Sequence, residues 1–308
     1  LPCYRPLQAW RQPVGKYGEL KLVFSNPNRE AEALKLPCGQ CIGCRLERSR
    51  RWAVRLMHEK QLHEKSCFLT LTYDDERCPV DGSLKVEDFQ LFMKRLRRGS
   101  GSPLRFFHCG EYGETTLRPH YHCCLFGEDF SSDRVYYKTS SAGHPLWTSA
   151  KLTEVWENGH AIIGDLSFES AAYVARYCLK KVTGRARDAH YGGRRPEYVT
   201  MSRRPGIGAS WFNKFRADVF PRDRVVMRGR EMVPPPFYDK LLAKVDPELH
   251  SIVKERRVEE AERAAEKGFV EFVNSPDFGV SKRASPDGRR RVEELCKQAA
   301  VKQLKRTL

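Results

Sequence analysis

The chain has 308 residues, 40% of them hydrophobic and 31% charged, with a formal net charge of +16 and a pI near 9.4. That length and composition exclude a chain too small or too polar for a core, and a balance this basic favours a polyanionic partner, either nucleic acid or an acidic membrane surface. No apolar run approaches membrane-spanning length and the first residues lack a basic-then-apolar leader, so a cytosolic, reducing setting is expected, in which the 11 cysteines serve as thiols, core residues or metal ligands rather than disulfides.

Residues 1–37 read as loop-rich, with at most a short strand at Lys21–Phe24. Cys38, Cys41 and Cys44 follow at successive C-x-x-C spacing, with Gly39 and Gly43 easing a tight backbone. A structural zinc takes four ligands, and Cys3, the one cysteine upstream, is the expected fourth; Cys67 and Cys78 are alternatives. Free thiols near a helix start, or a fragment of an Fe–S site, also fit this spacing. A helix is predicted over 45–65, with Leu46, Ala53, Leu56 and Met57 on one stripe and Arg48, Arg50, Arg51 and Arg55 around it, available to DNA or merely solvated.

Cys67–Tyr73 alternates apolar and polar residues as a strand does. A helix is predicted over Lys85–Arg98, with Phe89, Phe92, Met93 and Leu96 as its core stripe, and strands over Arg105–Tyr112 and Arg118–Gly127. The last of these carries His120 and His122. Alternation puts both imidazoles on one face while Tyr121, Cys123 and Leu125 point into a core. Residues 128–168 are expected to hold loops, a helix near Leu152–Trp156 and a strand near His160–Asp165. A helix over Ser167–Lys181 places Tyr173 and Tyr177 one turn apart on one face, with Lys180 beyond them. A short strand is expected at Glu197–Met201.

From Arg176 to Arg230 there are 15 Lys and Arg against 4 Asp and Glu, an electrostatic track for phosphates. Arg194, Arg195, Arg203 and Arg204 are its candidate DNA contacts, with Tyr191, Tyr198 and Trp211 as candidate base-stacking rings. Pro234–Pro236 reads as a boundary. The expected organisation is a Cys-rich segment and basic helix over 1–60, a catalytic domain over 61–233, and a helical extension over 234–308.

Two histidines make half a metal site. Glu111, at the end of the preceding strand, is the candidate third ligand, and Glu114 is an alternative in the turn. Two half-buried histidines and a core tyrosine pair fit the same residues. The combination of His120-Tyr121-His122 with Tyr173-x-x-x-Tyr177-x-x-Lys180-Lys181 resembles the HUH endonuclease superfamily, and within it the replication initiators of the Microviridae, particularly the gokushovirus branch. The resemblance fades after about residue 240.

The resemblance implies an α+β fold with an HUH-type antiparallel sheet and flanking helices, joined here to a Cys-rich N-terminal segment and a helical C-terminal extension. It implies a single-strand endonuclease using Mg²⁺ or Mn²⁺ on His120, His122 and Glu111. Tyr173 and Tyr177 act as nucleophiles, with Lys180, or Lys181, positioning the phosphate. The implied partners are single-stranded or supercoiled phage origin DNA and a host helicase and polymerase in the bacterial cytoplasm, with no membrane. A zinc-stabilised, non-catalytic single-stranded DNA-binding protein, and a nuclease in which water attacks, are the rival readings.

Overall fold

The computed structural model describes residues 3–14, 19–27, 33–113, 116–177, 187–220, 222–273 and 286–303. The chain starts not as loop but as a three-stranded antiparallel sheet: β1 (Leu7–Val14) lies between β2 (Glu19–Val23) and β3 (Ala33–Leu36). Helix α1 (Ile42–Lys60) follows, then β4 (Ser66–Tyr73), α2 (Val86–Arg98), β5 (Arg105–Tyr112) and β6 (Pro119–Phe126). Next come β7 (Arg134–Thr139), β8 (Pro145–Ser149), α3 (Ala150–Trp156), β9 (Gly159–Gly164) and α4 (Phe168–Tyr177). The chain continues through α5 (Arg187–Tyr191), β10 (Tyr198–Met201), α6 (Ala209–Val219), β11 (Val225–Met227) and β12 (Arg230–Met232). It closes with α7 (Pro236–Val245), α8 (Pro247–Val273) and α9 (Pro286–Gln303).

Contacts divide the described chain into two units, residues 1–48 with 259–304, and residues 49–258. The boundaries expected at 61 and 234 are not where this division falls. The triple proline does not end a core: Tyr238, Leu242 and Val253 beyond it are buried in one cluster with Val54 of α1 and Phe212 and Phe220. The clasp of Arg257 on Asp223 and Asp239, with four N–O contacts of 2.6–3.0 Å, ties α8 to the same cluster.

The larger unit is organised on a seven-stranded antiparallel sheet in the order β10-β5-β6-β4-β9-β8-β7. Strand alternation sorts its two faces. Leu69, Leu71, Tyr121, Cys123 and Leu125 meet Phe89, Phe92, Met93 and Leu96 of α2 and Leu152 and Trp156 of α3. Helix α2 has Glu87 and Asp88 in its first turn and Arg95, Arg97 and Arg98 in its last, a charge order that suits the helix dipole. Its entry is pinned by buried hydroxyls. Tyr73 Oη donates to Asp88 at 2.5 Å, and Tyr121 Oη accepts the Lys85 N–H at 3.0 Å.

On the opposite face, Phe68, Phe107, Cys109, Cys124 and Phe126 pack against Ala53 and Leu56 of α1 and Ala171 and Val174 of α4. This second core occupies only one end of the face. At the other end Thr70, Thr72, His120 and His122 line a cleft, with Glu111 buried beside the histidines.

Candidate functional site

The register of three strands builds the site. Glu111 on β5 lies opposite His120 on β6, and His120 lies opposite Thr72 on β4; His122 lies opposite Thr70. Residues directly opposite share a face, so these five side chains form one patch. Gly110 faces the other way, where an added Cβ would sit 2.7 Å from the Tyr198 ring, so β5 can approach β10 there only without a side chain.

One carboxylate oxygen binds both rings. Glu111 Oε1 lies 2.8 Å from His120 Nε2 and 2.9 Å from His122 Nε2. The other ring nitrogens are also engaged: His120 Nδ1 with the Arg118 carbonyl at 3.1 Å and His122 Nδ1 with Thr70 Oγ1 at 3.1 Å. A carbonyl only accepts, so His120 Nδ1 donates to Arg118, and toward the Glu111 carboxylate Nε2 donates too; a bound cation would take the place of that Nε2 proton. Burial pushes the Glu111 carboxyl up, but the hydrogen bonds and charge of His120 and His122 more than offset it and hold it near about 2. Two imidazole nitrogens and a fixed carboxylate suit a divalent cation. Their 2.8–2.9 Å separations match neighbouring ligands on an octahedral ion, which at ordinary bond lengths lie roughly 3 Å apart.

Tyr173 completes the corner. Its ring stands edge-on to His122 with centroids 5.3 Å apart, and the Arg176 guanidinium lies 5.7 Å from its centroid. His120, His122 and Tyr173 line a cleft of about 540 Å³, together with Thr70, Thr72 and Arg118 and residues of the β7–β8 hairpin. Tyr177 ends α4 one turn beyond Tyr173; its side chain, Lys180, Lys181 and Glu114 lie outside the described residues.

A second centre lies in the smaller unit. The sulfurs of Cys3, Cys38, Cys41 and Cys44 all lie within 4.8 Å of one another. Gly39, at φ 74°, turns the backbone so that the Gln40 and Cys41 N–H groups donate to Cys38 Sγ at 3.4 and 3.3 Å. Cys38 N–H donates to Cys3 Sγ at 3.2 Å, and Tyr4 N–H to Cys41 Sγ at 3.4 Å. Burial raises the Cys3 and Cys44 thiols, whereas at Cys41 burial is more than offset by the hydrogen bonds from Cys44, Tyr4 and Cys38, which lower it to about 6, toward the thiolate that binds metal. Neither alternative ligand joins these cysteines: Cys67 is buried with its thiol toward the Glu128 carbonyl, and Cys78 packs against the core of the larger unit.

The basic track takes a different form from the expectation. Arg194 donates to the Tyr191 carbonyl and lies over the Tyr112 ring, Arg195 sits 3.6 Å from Glu87, and Arg203 and Arg204 are exposed; none of the four lines the cleft. Of the three rings assigned to base stacking, Tyr191 and Trp211 are buried and Tyr198 is half-buried against the core. Tyr191 is buried with its hydroxyl on Glu197, the Tyr198 hydroxyl is buried beside β5, and Trp211 stacks on His58 and donates to Gln61. Arg55 is likewise no DNA contact, since its guanidinium donates to the Ile207 carbonyl between the Trp52 and Phe237 rings. Thr70 and the β7–β8 hairpin, both at the cleft, went unassigned in the sequence. Thr70 was visible only as part of a polar strand face.

Fold and site together define an α+β protein whose antiparallel sheet carries a candidate His/His/Glu metal centre beside a tyrosine. Residues 66–182, which run from β4 through α4, match the family model of the replication-associated protein ORF2/G2P. The chain is 34% identical to the replication-associated protein VP4 of Bdellovibrio phage phiMH2K, across 88% of this chain and 89% of that one. It is 29% identical to the replication-associated protein ORF2 of Spiroplasma virus 4, across 85% and 88% respectively. The chain therefore belongs to the family of Microviridae replication-associated proteins. No solved structure matches it. Among the described residues no helix is long and apolar enough to cross a membrane.

Proposed function

We propose that this protein initiates rolling-circle replication of a phage genome by nicking single-stranded origin DNA through a tyrosine nucleophile and later rejoining the strand. The observation that carries the reading is the single Glu111 oxygen between two imidazole Nε2 atoms, with the Tyr173 ring against one of them. The relatives, named as replication-associated proteins of phages, support the replication role.

Glu111, His120 and His122 hold Mg²⁺ or Mn²⁺. When bound, the ion supplies Lewis-acid polarisation of a phosphate oxygen. The Arg118 carbonyl and Thr70 orient the two rings, and Glu111 stays ionised between them. The Tyr173 or Tyr177 phenol attacks phosphorus, forming a Tyr–O–P bond as the P–O3′ bond breaks. The phenolic proton passes to solvent, and the departing 3′ oxygen gains one. The 5′-phosphotyrosyl link retains the energy of the broken bond, so a returning 3′-OH closes the strand without another energy source. Until then a host polymerase, following a host helicase in the bacterial cytoplasm, extends the free end. Lys180 positions the phosphate. In the other unit Cys3, Cys38, Cys41 and Cys44 hold a structural Zn²⁺.

The test is incubation of end-labelled single-stranded origin DNA with the full chain and Mn²⁺, followed by denaturing electrophoresis. A protein–DNA adduct that persists in either single Tyr→Phe variant and vanishes in the Tyr173→Phe/Tyr177→Phe double variant is expected. Nicking without an adduct assigns the attack to water, and binding without nicking assigns a non-catalytic role; either overturns the reading. For the cysteines, metal analysis of purified protein should find zinc in the wild type and little in Cys41→Ser.

A further inference from the structure

Three consecutive side chains on β7 are left in solvent: Val135, Tyr136 and Tyr137 are 66%, 58% and 53% exposed. Strand β7 is the end strand of the seven-stranded sheet. Large apolar groups on an edge strand are an aggregation hazard, so their retention calls for a use. Pairing with β8 slips between Tyr136 and Lys138, which leaves Tyr137 as the extra residue. Such irregularities re-aim side chains, commonly beside functional sites. Lys138 lies opposite Leu146, and both line the cleft that holds His120, His122 and Tyr173. The Lys138 ammonium stands 5.1 Å from the Tyr137 ring centroid. An exposed aromatic ring therefore stands beside a cation that lines the cleft.

We propose that Tyr137 and Lys138 form a platform for single-stranded DNA entering the cleft, with Lys138 taking a phosphate next to the scissile one and Tyr137 stacking an adjacent unpaired base. The proposal rests on the nicking reading of the cleft. Charge complementarity favours this occupant: residues 134–149 contain Arg134 and Lys138 and no Asp or Glu, although the chain has 39 of them. Arg118 lines the same cleft, with its guanidinium paired to the exposed Asp75 at 2.7 Å. A ring at the rim also selects strand state, because a base offers its face only when unstacked, and every base has one. The platform thus reads single-strandedness and tolerates sequence. It offers a solvent-exposed ring, which the buried Tyr191 and Trp211 do not.

The experiment is fluorescence anisotropy of a labelled single-stranded oligonucleotide against the full-length chain, in buffer free of Mg²⁺ and Mn²⁺ so that no strand is cut. Tyr137→Ala should weaken binding about tenfold or more, whereas Tyr137→Phe should stay within about twofold. Lys138→Ala should flatten the slope of log K against log salt by about 0.7. Equal affinity of Tyr137→Ala and wild type overturns the proposal, as does an equal loss on the matching duplex. A fall in sedimenting mass caused by Tyr137→Ala also overturns it, by assigning the strand to self-association. Adduct formation by the wild type is measured in parallel. An adduct with unchanged Tyr137→Ala affinity removes the platform alone; weakened affinity with no wild-type adduct removes the nicking reading alone.

Discussion

His120 gives its Nδ1 proton to the Arg118 carbonyl, and His122 has its Nδ1 on the Thr70 hydroxyl, which leaves both Nε2 atoms directed at Glu111. Thr70 fixes the plane of the His122 ring, and with it the direction in which Nε2 would meet a bound ion. Thr70→Val keeps the shape and deletes the hydrogen bond. It should weaken Mn²⁺ binding by about 10- to 100-fold, as measured by titration calorimetry on the full chain, with little change in fold. Unchanged Mn²⁺ affinity would show that packing alone holds His122. The sequence reveals the histidine pair because strand alternation needs only two residues of one segment. Thr70 lies 52 residues earlier and meets His122 only through strand register, which a single segment does not encode. Tyr191, Tyr198 and Trp211 mislead for a related reason. An aromatic residue in a basic stretch looks the same whether its ring faces solvent or a core.

Helix α2 and strand β4 were readable because their patterns are long and regular: Phe89, Phe92, Met93 and Leu96 are all buried as a 3.6-residue period requires. The short strand expected at Lys21–Phe24 falls on β2, but β1 and β7 were not readable, since β1 is punctuated by Pro13 and β7 is solvated on both faces, so neither period stands out. Phe92 is fully buried between α3 and the sheet. Phe92→Ala should cost about 3–5 kcal/mol in urea unfolding, whereas the exposed neighbour Leu91→Ala should cost far less. Helix α1 carries a pH-dependent element. His58 is buried, stacked on Trp211 at 3.5 Å and bonded to Tyr238 Oη at 2.8 Å. Burial lowers its pKa to about 3. The unfolded chain, with an ordinary histidine, takes up a proton near pH 6.5 that the native state refuses. The stability tied to this group is therefore complete above about pH 6.5 and is lost as pH falls from there toward about 3. Between pH 6.5 and 5 the loss should approach about 2 kcal/mol, read from urea midpoints, and His58→Gln should shrink it.

At the scale of the whole molecule, the net charge of +16 is a statement about encounter as much as about contact. Positive potential spread over the surface raises the rate at which a polyanion arrives, and phosphate contacts release counterions. Affinity for single-stranded DNA should fall steeply and linearly in log salt, with the slope counting the phosphates engaged; a flat response in an anisotropy titration would remove the electrostatic track from the account. The fold class and the site-bearing strands were available from patterns along the chain, and the family resemblance supplied their arrangement. What the chain did not disclose was the partition into units, because α7 and α8 beyond the triple proline bury Tyr238, Leu242 and Val253 against α1 and α6.

The pairing of Glu111 with His120 across β5 and β6 has a consequence for assembly. Side chains alternate with a period of two, so a hairpin mispaired by one residue would send the carboxylate and the imidazoles to opposite faces. Such a chain keeps most of its backbone hydrogen bonds and loses the whole centre. A divalent ion at the proposed centre would therefore work as a checksum on strand pairing: only molecules folded in the right register would hold it, and a population with slipped hairpins would show itself as a reduced number of binding sites at undiminished affinity.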